Sequence, residues 1–586
     1  MTSVLITCGH ELAALSAARS LGRAGQHVTV AVPDGFAAPV RTSRYVAQVI
    51  ASPDPWQDQA AFRHFLLDTA SRHDVLLPIS EAAMFATAAC REQLTRTLLL
   101  LPSDKDLVFA LSKYHATRAA QAAGLKTPAT AFLTDGTAPT SLSAMCDAAC
   151  ELGFPLLLKH DNCKSPDGTY QKGRTISVRS RLQTRAVLSE LQKKNTPILA
   201  QQIVAGHGVG TFLLRWDGET RLDFAHTRLH EVPYSGGVSS LRKSCHDAHR
   251  LALSERLLSH IGYQGVAMCE FRENLDGEPV FLEINGRLWG SLALSLHCGV
   301  DFPLALLRLS QGAPFLSPLD YPDDVLCRNV FPGEFFHLSS LLRAAEVPLS
   351  QKIRAGFEQV VLSLDPTVRH DHLWLDDPGP GLVQARRLFQ DITTRIRRFP
   401  GWTSQALRDR RLLAHEQAET PSRFDKLPHR PRRILVLCLG NICRSPFAER
   451  HLRQLLDKRG ITDITIESAG FLQQNGRPTP GQFVEIARGF RVDLSTHKSK
   501  LVQPNQFDDA DLILLMDLQN LRRLLVESPQ NRHKAFLIGL LARCTQPEIP
   551  DPYLLSPAQV EASYQLLSTT CQNLVNDWLT DLPQSK

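Results

Sequence analysis

The chain has 586 residues, 43% of them hydrophobic and 21% charged, with a net charge of +6. That length exceeds one hydrophobic core and predicts roughly three or four domains, and the composition is that of an ordinary soluble protein. No apolar run reaches the ~20 residues of a membrane span, and nothing points to a nucleic-acid partner. The 13 Cys are scattered, odd in number and without CxxC or zinc spacing, which predicts a reducing, cytoplasmic location. Met1 to Gly25 carries no basic leader and reads as strand, turn and helix.

In chain order, Val4 to Thr7 predicts a strand, Cys8-Gly9-His10 a turn, Glu11 to Leu21 a helix and His27 to Val32 a second strand after Gly25. This is a β-α-β unit of a parallel sheet, with too few glycines in its first turn for a dinucleotide fingerprint. Val75 to Pro78 ends a further strand, and Ser112 to Ala123 predicts a helix closed by Gly124.

Phe154 to Lys159 predicts a strand ending in Lys, followed by a polar loop, His160 to Arg174, with Lys164, Gly168, Lys172 and Gly173. A basic, glycine-bearing loop suits polyphosphate. Gly265 to Phe271 and Phe281 to Arg287 predict two antiparallel strands joined through Asn274 to Glu278. Their alternation puts Glu283, Asn285 and Arg287 on one face. Glu270 on the facing strand completes an oxygen cage suited to Mg²⁺ bridging phosphates. Arg228 and Arg242, flanking Gly236-Gly237, are candidates for an anionic substrate, whereas His226 and His230 read better as structural.

From Arg386 to Arg433 there are thirteen Lys and Arg against five Asp and Glu, an excess of eight. Leu388, Phe389, Ile392, Ile396 and Phe399 form one helical stripe among the arginines. A helix packed on its own enzyme is the simpler reading, a membrane surface or an acidic partner the alternative. Glu419 to Arg433, with Pro421, Pro428 and Pro431, predicts a linker.

Ile434 to Leu437 predicts a buried strand and Phe447 to Leu456 a helix, and between them stands Cys438-Leu439-Gly440-Asn441-Ile442-Cys443-Arg444-Ser445-Pro446. A Cys, five residues and an Arg at a strand-to-helix turn make an oxyanion cradle, because successive backbone N–H groups and the positive helix end point inward. A thiolate at Cys438 would be the nucleophile, and the planar fork of Arg444 would grip two phosphate oxygens.

These residues resemble the low-molecular-weight protein tyrosine phosphatase family, from about Arg432 to Trp578, together with Ser468-Ala469-Gly470, Met516-Asp517 and Asp551-Pro552-Tyr553. The resemblance implies that Cys438 forms a phosphocysteine and that Asp551 is the general acid, then the base. It also implies that Arg444 and the amides of the loop, Leu439, Gly440, Asn441, Ile442 and Cys443, hold the phosphate. Ser445 would hydrogen-bond the sulfur, and Asn441 would brace the loop. The substrate would be a phosphotyrosine protein or a small phosphomonoester, with no cofactor. Two positions depart from the pattern: Leu472 replaces a frequent aromatic, with Phe471 one place early, and Leu554 follows Tyr553. A related arsenate-reducing branch is disfavoured, since no Cys lies between Cys443 and Cys544. The resemblance also suggests a reversible Cys438–Cys443 disulfide.

The first 318 residues resemble the ATP-grasp superfamily, most of all its carboxylate–amine ligase group found near bacterial polysaccharide genes. The matching stretches are Ser112-Lys113-Tyr114, Leu158-Lys159, Gln201 to Gly206, Ser235 to Ser239, Glu270 and Glu283 to Arg287. The resemblance implies that Lys113 and Lys159 hold ATP phosphates and that Gln201, Gln202 and Val204 belong to the adenine hinge. Glu270, Glu283 and Asn285 would ligate Mg²⁺, and Arg287 would face an acyl phosphate. The expected architecture is multidomain α/β: a Rossmann-like pre-ATP-grasp domain (1–110), an α+β ATP-grasp domain (111–318), a partly helical basic connector (319–430) and a doubly wound parallel-sheet phosphatase (431–586). The expected function is bifunctional, an ATP- and Mg²⁺-dependent ligase joining an unknown acid and amine plus a Cys-dependent phosphatase. The alternative is a regulatory phosphatase whose ATP-grasp half only senses nucleotide.

Overall fold

The computed structural model describes all residues except 138–139, 162, 165–169, 316–319, 345–346, 428–430, 543, 545, 554–556 and 577–586. Gly168, Pro428, Leu554 and Trp578 lie outside the described residues, as do the side chains of Lys164, Ile392, Ile396 and Phe399. The chain divides into two units, Met1–Ser177 with Glu190–Thr394, and Val178–Ser189 with Arg395–Lys586.

The first unit opens with a five-stranded parallel sheet in the order Gln48–Ser52, His27–Pro33, Ser3–Ile6, Val75–Leu77, Leu98–Leu99. The expected β-α-β unit is present, with its helix at Leu12–Arg23. Gly9 occupies the first turn because a Cβ there would come within 2.5 Å of Val30. A second sheet has the order Arg174–Val178, Leu156–His160, Ile198–Gln202, Thr130–Thr134. The third runs Pro279–Asn285, Gly265–Glu273, His207–Trp216, Glu219–Val232, Val238–Ser244, Leu326–Arg328, Arg369–His370. Gly265–Glu273 and Pro279–Asn285 pair antiparallel as expected, with Glu270 opposite Glu283.

The segment read as a connector begins by donating the last two strands of that sheet. They are three and two residues long, too short to show a period in sequence. Buried charge ties the same segment down. Arg19, fully buried, donates to Asp377 Oδ2 at 2.8 Å and to the carbonyls of Asp371 and His372. Arg242, equally buried, grips the Asp371 carboxylate.

The second unit holds a four-stranded parallel sheet in the order Thr465–Gly470, Arg433–Cys438, Leu512–Leu515, Ala535–Leu537. Strand residues Ile434, Val436 and Cys438 enter one core with Phe447, Leu452 and Tyr564. Leu435 and Leu437 enter the other with Leu521 and Leu524. This two-sided burial explains the unbroken apolar run, since alternate side chains of a strand face opposite ways.

The expected linker at Glu419 to Arg433 is corrected: one helix, Gly379–Phe424, continues through Pro421. Its end is held by side chains that no local signal announces. Glu416 is fully buried and accepts from Arg423 and Arg532. The Arg423 guanidinium lies 4.8 Å over Phe536, and Leu412, Leu413, Phe424 and Leu427 pack on the two cores. Four half-buried apolar side chains contribute about 3 kcal/mol. A fragment beginning at Arg408 is therefore predicted to melt roughly 6–12 °C above one beginning at Pro431. Equal melting temperatures in calorimetry would show that the packed helix end adds nothing.

Candidate functional site

Two constellations lie at the carboxyl ends of strands. In the second unit the loop after Arg433–Cys438 leads into the helix Arg444–Asp457. The strands on either side of Arg433–Cys438 are the next two in sequence, so the loop sits where connections diverge to opposite sides and leave a crevice. Cys438, 1% exposed, has its Sγ 3.0 Å from Ser445 Oγ and 3.2 Å from the Asn441 backbone nitrogen, which donates to it.

Asn441 holds the loop shape. Its φ is +49°, a left-handed conformation that Asn tolerates better than most residues. The side chain donates to Ser445 Oγ and Ser468 Oγ, both at 3.0 Å, and accepts from the Lys500 nitrogen at 2.8 Å. Two supports went unread in sequence: Arg477 donates to the Gly440 carbonyl at 2.9 Å, and the His497 ring contacts the Asn441 carbonyl at 2.8 Å. Neither has a local signature, because both arrive from a distant loop.

Arg444, 1% exposed, donates to Asp517 Oδ2 at 2.5 Å, to the Ile549 carbonyl at 2.9 Å and to Asp551 Oδ2 at 2.6 Å. Burial works against its charge, but Cys438, Asp517 and Asp551 outweigh it and raise its pKa. Asp517 also caps the helix Leu518–Glu527, accepting from the Asn520 nitrogen. An Asp at a strand end before a helix signals the cap but not the ion pair. Burial, then Cys438, push the Cys443 thiol up, so it stays protonated at neutral pH.

The ring of Tyr553 is 47% exposed and stacks on buried Phe483 at 6.3 Å and 7°. Phe471 is no substitute wall: it is 4% exposed and packs on Phe507 in the core. Leu472 is half-buried.

In the first unit Lys113 starts the helix Lys113–Ala122 and forms an ion pair with Glu283. Lys159 lies buried nearby on Leu156–His160. Burial lowers Lys159 to about 8, although Glu283 opposes this. Burial alone would raise the Glu283 carboxyl, but Lys113 and then Lys159 hold it below the ordinary carboxylate range. Asn285 donates to Glu283 Oε1 at 3.2 Å. Glu270, opposite Glu283 in the ladder, is gripped by both terminal nitrogens of Arg228 at 2.9 Å. Two carboxylates on paired strands are the donor type a hard, oxygen-seeking cation takes; here Glu270 is engaged by Arg228, and Glu283 by Lys113 and the Asn285 amide nitrogen. Arg287 lies just past the strand end, 3.5 Å from Glu81, and donates to the Leu288 carbonyl.

Asp161 is a support that sequence reasoning missed. It accepts from the backbone nitrogens of Lys113 at 2.8 Å and Tyr114 at 3.3 Å, and so fixes the helix start. Gln201 is buried, with its amide on Thr130 Oγ1 at 3.1 Å, while Gln202 donates to the Leu152 carbonyl at 2.7 Å. Val204 follows, half-buried. The Gln202 side chain therefore holds the strand, whereas the buried Gln201 Oε1 meets no partner among the described residues.

The candidate anion-binding Arg228 and Arg242 are corrected, since Arg228 neutralises Glu270 and Glu231 and Arg242 is spent on Asp371. Both histidines are engaged by neighbours: His226 Nε2 sits 2.9 Å from Ser291 Oγ, and His230 Nδ1 sits 2.8 Å from Glu334.

Residues 433–584 match the family described as low molecular weight phosphotyrosine protein phosphatase. Residues 213–326 match the family described as ATP-grasp in the biosynthetic pathway with Ter operon. The low molecular weight protein-tyrosine-phosphatase PtpA of Staphylococcus epidermidis is 31% identical over 144 residues, 24% of this chain and 91% of that protein. Wzb of Escherichia coli K12, of the same description, is 34% identical over 139 residues, 24% of this chain and 90% of that protein. The biotin carboxylase of Campylobacter jejuni, solved with an ATP analogue, aligns with a TM-score of 0.44 and 14% identity over 56% of this chain and 74% of its own.

Asn441→Ala would remove three side-chain hydrogen bonds beneath a left-handed residue. It is predicted to destabilise the second unit by roughly 2–4 kcal/mol. Hydrogen exchange of Cys438–Ser445 checks this, and unchanged protection would show the loop to be held from elsewhere.

Proposed function

We propose, from the premise that this chain belongs through its C-terminal domain to the low molecular weight phosphotyrosine protein phosphatase family and carries an ATP-grasp domain before it, that it is a bifunctional enzyme. The observation that carries the phosphatase half is the placement of Cys438 Sγ within hydrogen-bond reach of a loop amide and Ser445, beside Arg444 and Asp551.

The Cys438 thiolate attacks phosphorus while Asp551 gives its proton to the leaving oxygen, so the P–O bond breaks as the P–S bond forms. Asp551, now a carboxylate, takes a proton from water; the hydroxide displaces sulfur, releasing phosphate and restoring the thiolate. Arg444 exchanges its contacts with Asp517 and Asp551 for phosphate oxygens, which frees Asp551 at the moment it must act. Tyr553, exposed and stacked on Phe483, supports an aryl phosphomonoester such as phosphotyrosine as substrate.

The ligase half rests on the convergence of Lys113, Lys159, Glu270 and Glu283. Lys113 and Lys159 would neutralise ATP phosphates, and Arg287 would steady an acyl phosphate that an amine then displaces. Glu270, Glu283 and Asn285 would hold Mg²⁺, which when bound supplies charge neutralisation for phosphoryl transfer. Lys113 would then exchange Glu283 for phosphate. Among the described residues no helix is long and apolar enough to cross a membrane, which supports assigning the protein to the cytoplasm.

Cys438→Ser is predicted to abolish hydrolysis of p-nitrophenyl phosphate. Asp551→Asn should slow an alkyl phosphate at least about tenfold more than a good phenol, because only a poor leaving group needs the proton. Turnover surviving in Cys438→Ser would refute the covalent route.

Glu283→Gln is predicted to lose Mg²⁺-dependent ATP turnover. Arg287→Ala should keep nucleotide binding yet lose ADP release that depends on an acid. Product analysis decides the class: AMP would refute acyl phosphate chemistry, and ATP binding without any ADP release would favour the nucleotide sensor.

A further inference from the structure

A cavity of about 300 Å³ opens in the first unit beside the turn after Ser3–Ile6. Its far wall comes from the connector, through Asn329, Phe331, His372, Gln384 and Arg387. At ~30 Å³ per water, the space would hold about ten waters, enough for a small metabolite rather than a structural water.

Three polar atoms lining it are buried and meet no partner among the described residues: Asn329 Oδ1, Gln384 Oε1 and His10 Nδ1. Asn329 is 8% exposed, and its backbone is locked by bonds to Ser240 and Glu334. The Gln384 amide nitrogen lies 3.2 Å from His372 Nε2. Burial lowers His372 to about 4, so that ring is neutral and offers one of its two nitrogens as an acceptor. The Gln384 oxygen is left buried without a partner among the described residues. Two carbonyl oxygens without donors call for a ligand that brings N–H or O–H groups, since a buried acceptor left unmet is destabilising.

The opposite side favours negative charge. The helix Leu12–Arg23 begins there, and its N-cap residue Glu11 makes no side-chain capping bond; its carboxylate, which also lines the cavity, stands 3.7 Å from His10 Nε2. The Ala14 amide is taken by the Glu11 carbonyl, which leaves the amides before it to an anion. Arg387 reaches the same space, spending one nitrogen on the Ala37 carbonyl at 3.1 Å and keeping the rest of its fork. Phe331, Pro332, Leu15 and Val40 supply an apolar floor.

We propose that this cavity binds a free L-α-amino acid. Its carboxylate would lie on Arg387 and the helix N-terminus, its ammonium on the Asn329 and Gln384 oxygens, and its side chain on the apolar floor. A zwitterion satisfies both faces at once, whereas an anion leaves the two carbonyls unmet and an amine leaves Arg387 unmet. The site rests on the ligase reading only for its role, as the pocket for one of the molecules joined; binding itself needs no ATP.

The test is calorimetric titration of the full chain, without nucleotide, with each of the common L-amino acids, and with acetate and inorganic phosphate as controls. Saturable one-to-one binding by at least one amino acid is expected, weakened at least about tenfold, or 1.4 kcal/mol, in both Arg387→Met and Gln384→Met. The thermal melting transitions of the full chain should stay unchanged and show that both variants fold. No binding by any amino acid, binding indifferent to both variants, or acetate or phosphate binding as tightly would each overturn the proposal. Amino acid binding without ADP release would refute the ligase reading and leave the cavity standing; ADP release without amino acid binding would do the reverse.

Discussion

A charge withdrawn from water must be met by an opposite charge or by hydrogen bonds, at a cost of several kcal/mol when it is not. That constraint organises both sites and the joints between them. Arg444, 1% exposed, is tolerable because Asp517 and Asp551 hold its two arms. Glu283 is tolerable because Lys113 pairs with it. Arg19 and Arg242 are tolerable because Asp377 and Asp371 come from a segment more than a hundred residues away.

The same pairing makes each site exchangeable. A phosphate entering the Cys438 cradle carries the negative charge that Arg444 now takes from two carboxylates, so ligand and side chains compete for one cation. On the proposed ligase reading, a nucleotide would offer Lys113 and Lys159 new anionic partners, and a cation would offer Glu283 a replacement for Lys113. Lys159, lowered to about 8 by burial, would regain its full charge as anionic phosphate approaches, since a nearby negative charge favours the protonated form. Binding and electrostatics are therefore one event in each half.

The connector shows how local signals mislead. Pro421, Pro428 and Pro431 read as a flexible tether, yet the helix Gly379–Phe424 runs through the first of them. The reason is long-range: buried Glu416 needs Arg423 and Arg532, and that need outweighs the bond a proline removes. Similarly, Leu326–Arg328 and Arg369–His370 join a sheet although neither is long enough to show alternation. Arg228 and Arg242 looked free for a substrate because Glu270 and Asp371, which grip them, stand 42 and 129 residues away.

The sequence by itself determined the elements whose physics is local. The apolar run before Cys438 and the Cys-x5-Arg spacing define a strand, a cradle and a helix within about twenty residues. The paired strands carrying Glu270 and Glu283 were legible in the same way, because a short hairpin and alternation fix who faces whom. Tertiary structure alone decided which charges are free and which are spent: Asp517 under Arg444, Asp161 under the start of the Lys113 helix, Asp371 under Arg242. It also decided that the connector belongs to a sheet and lines a cavity. Those outcomes depend on groups that folding brings together from distant positions, and no spacing along the chain records them.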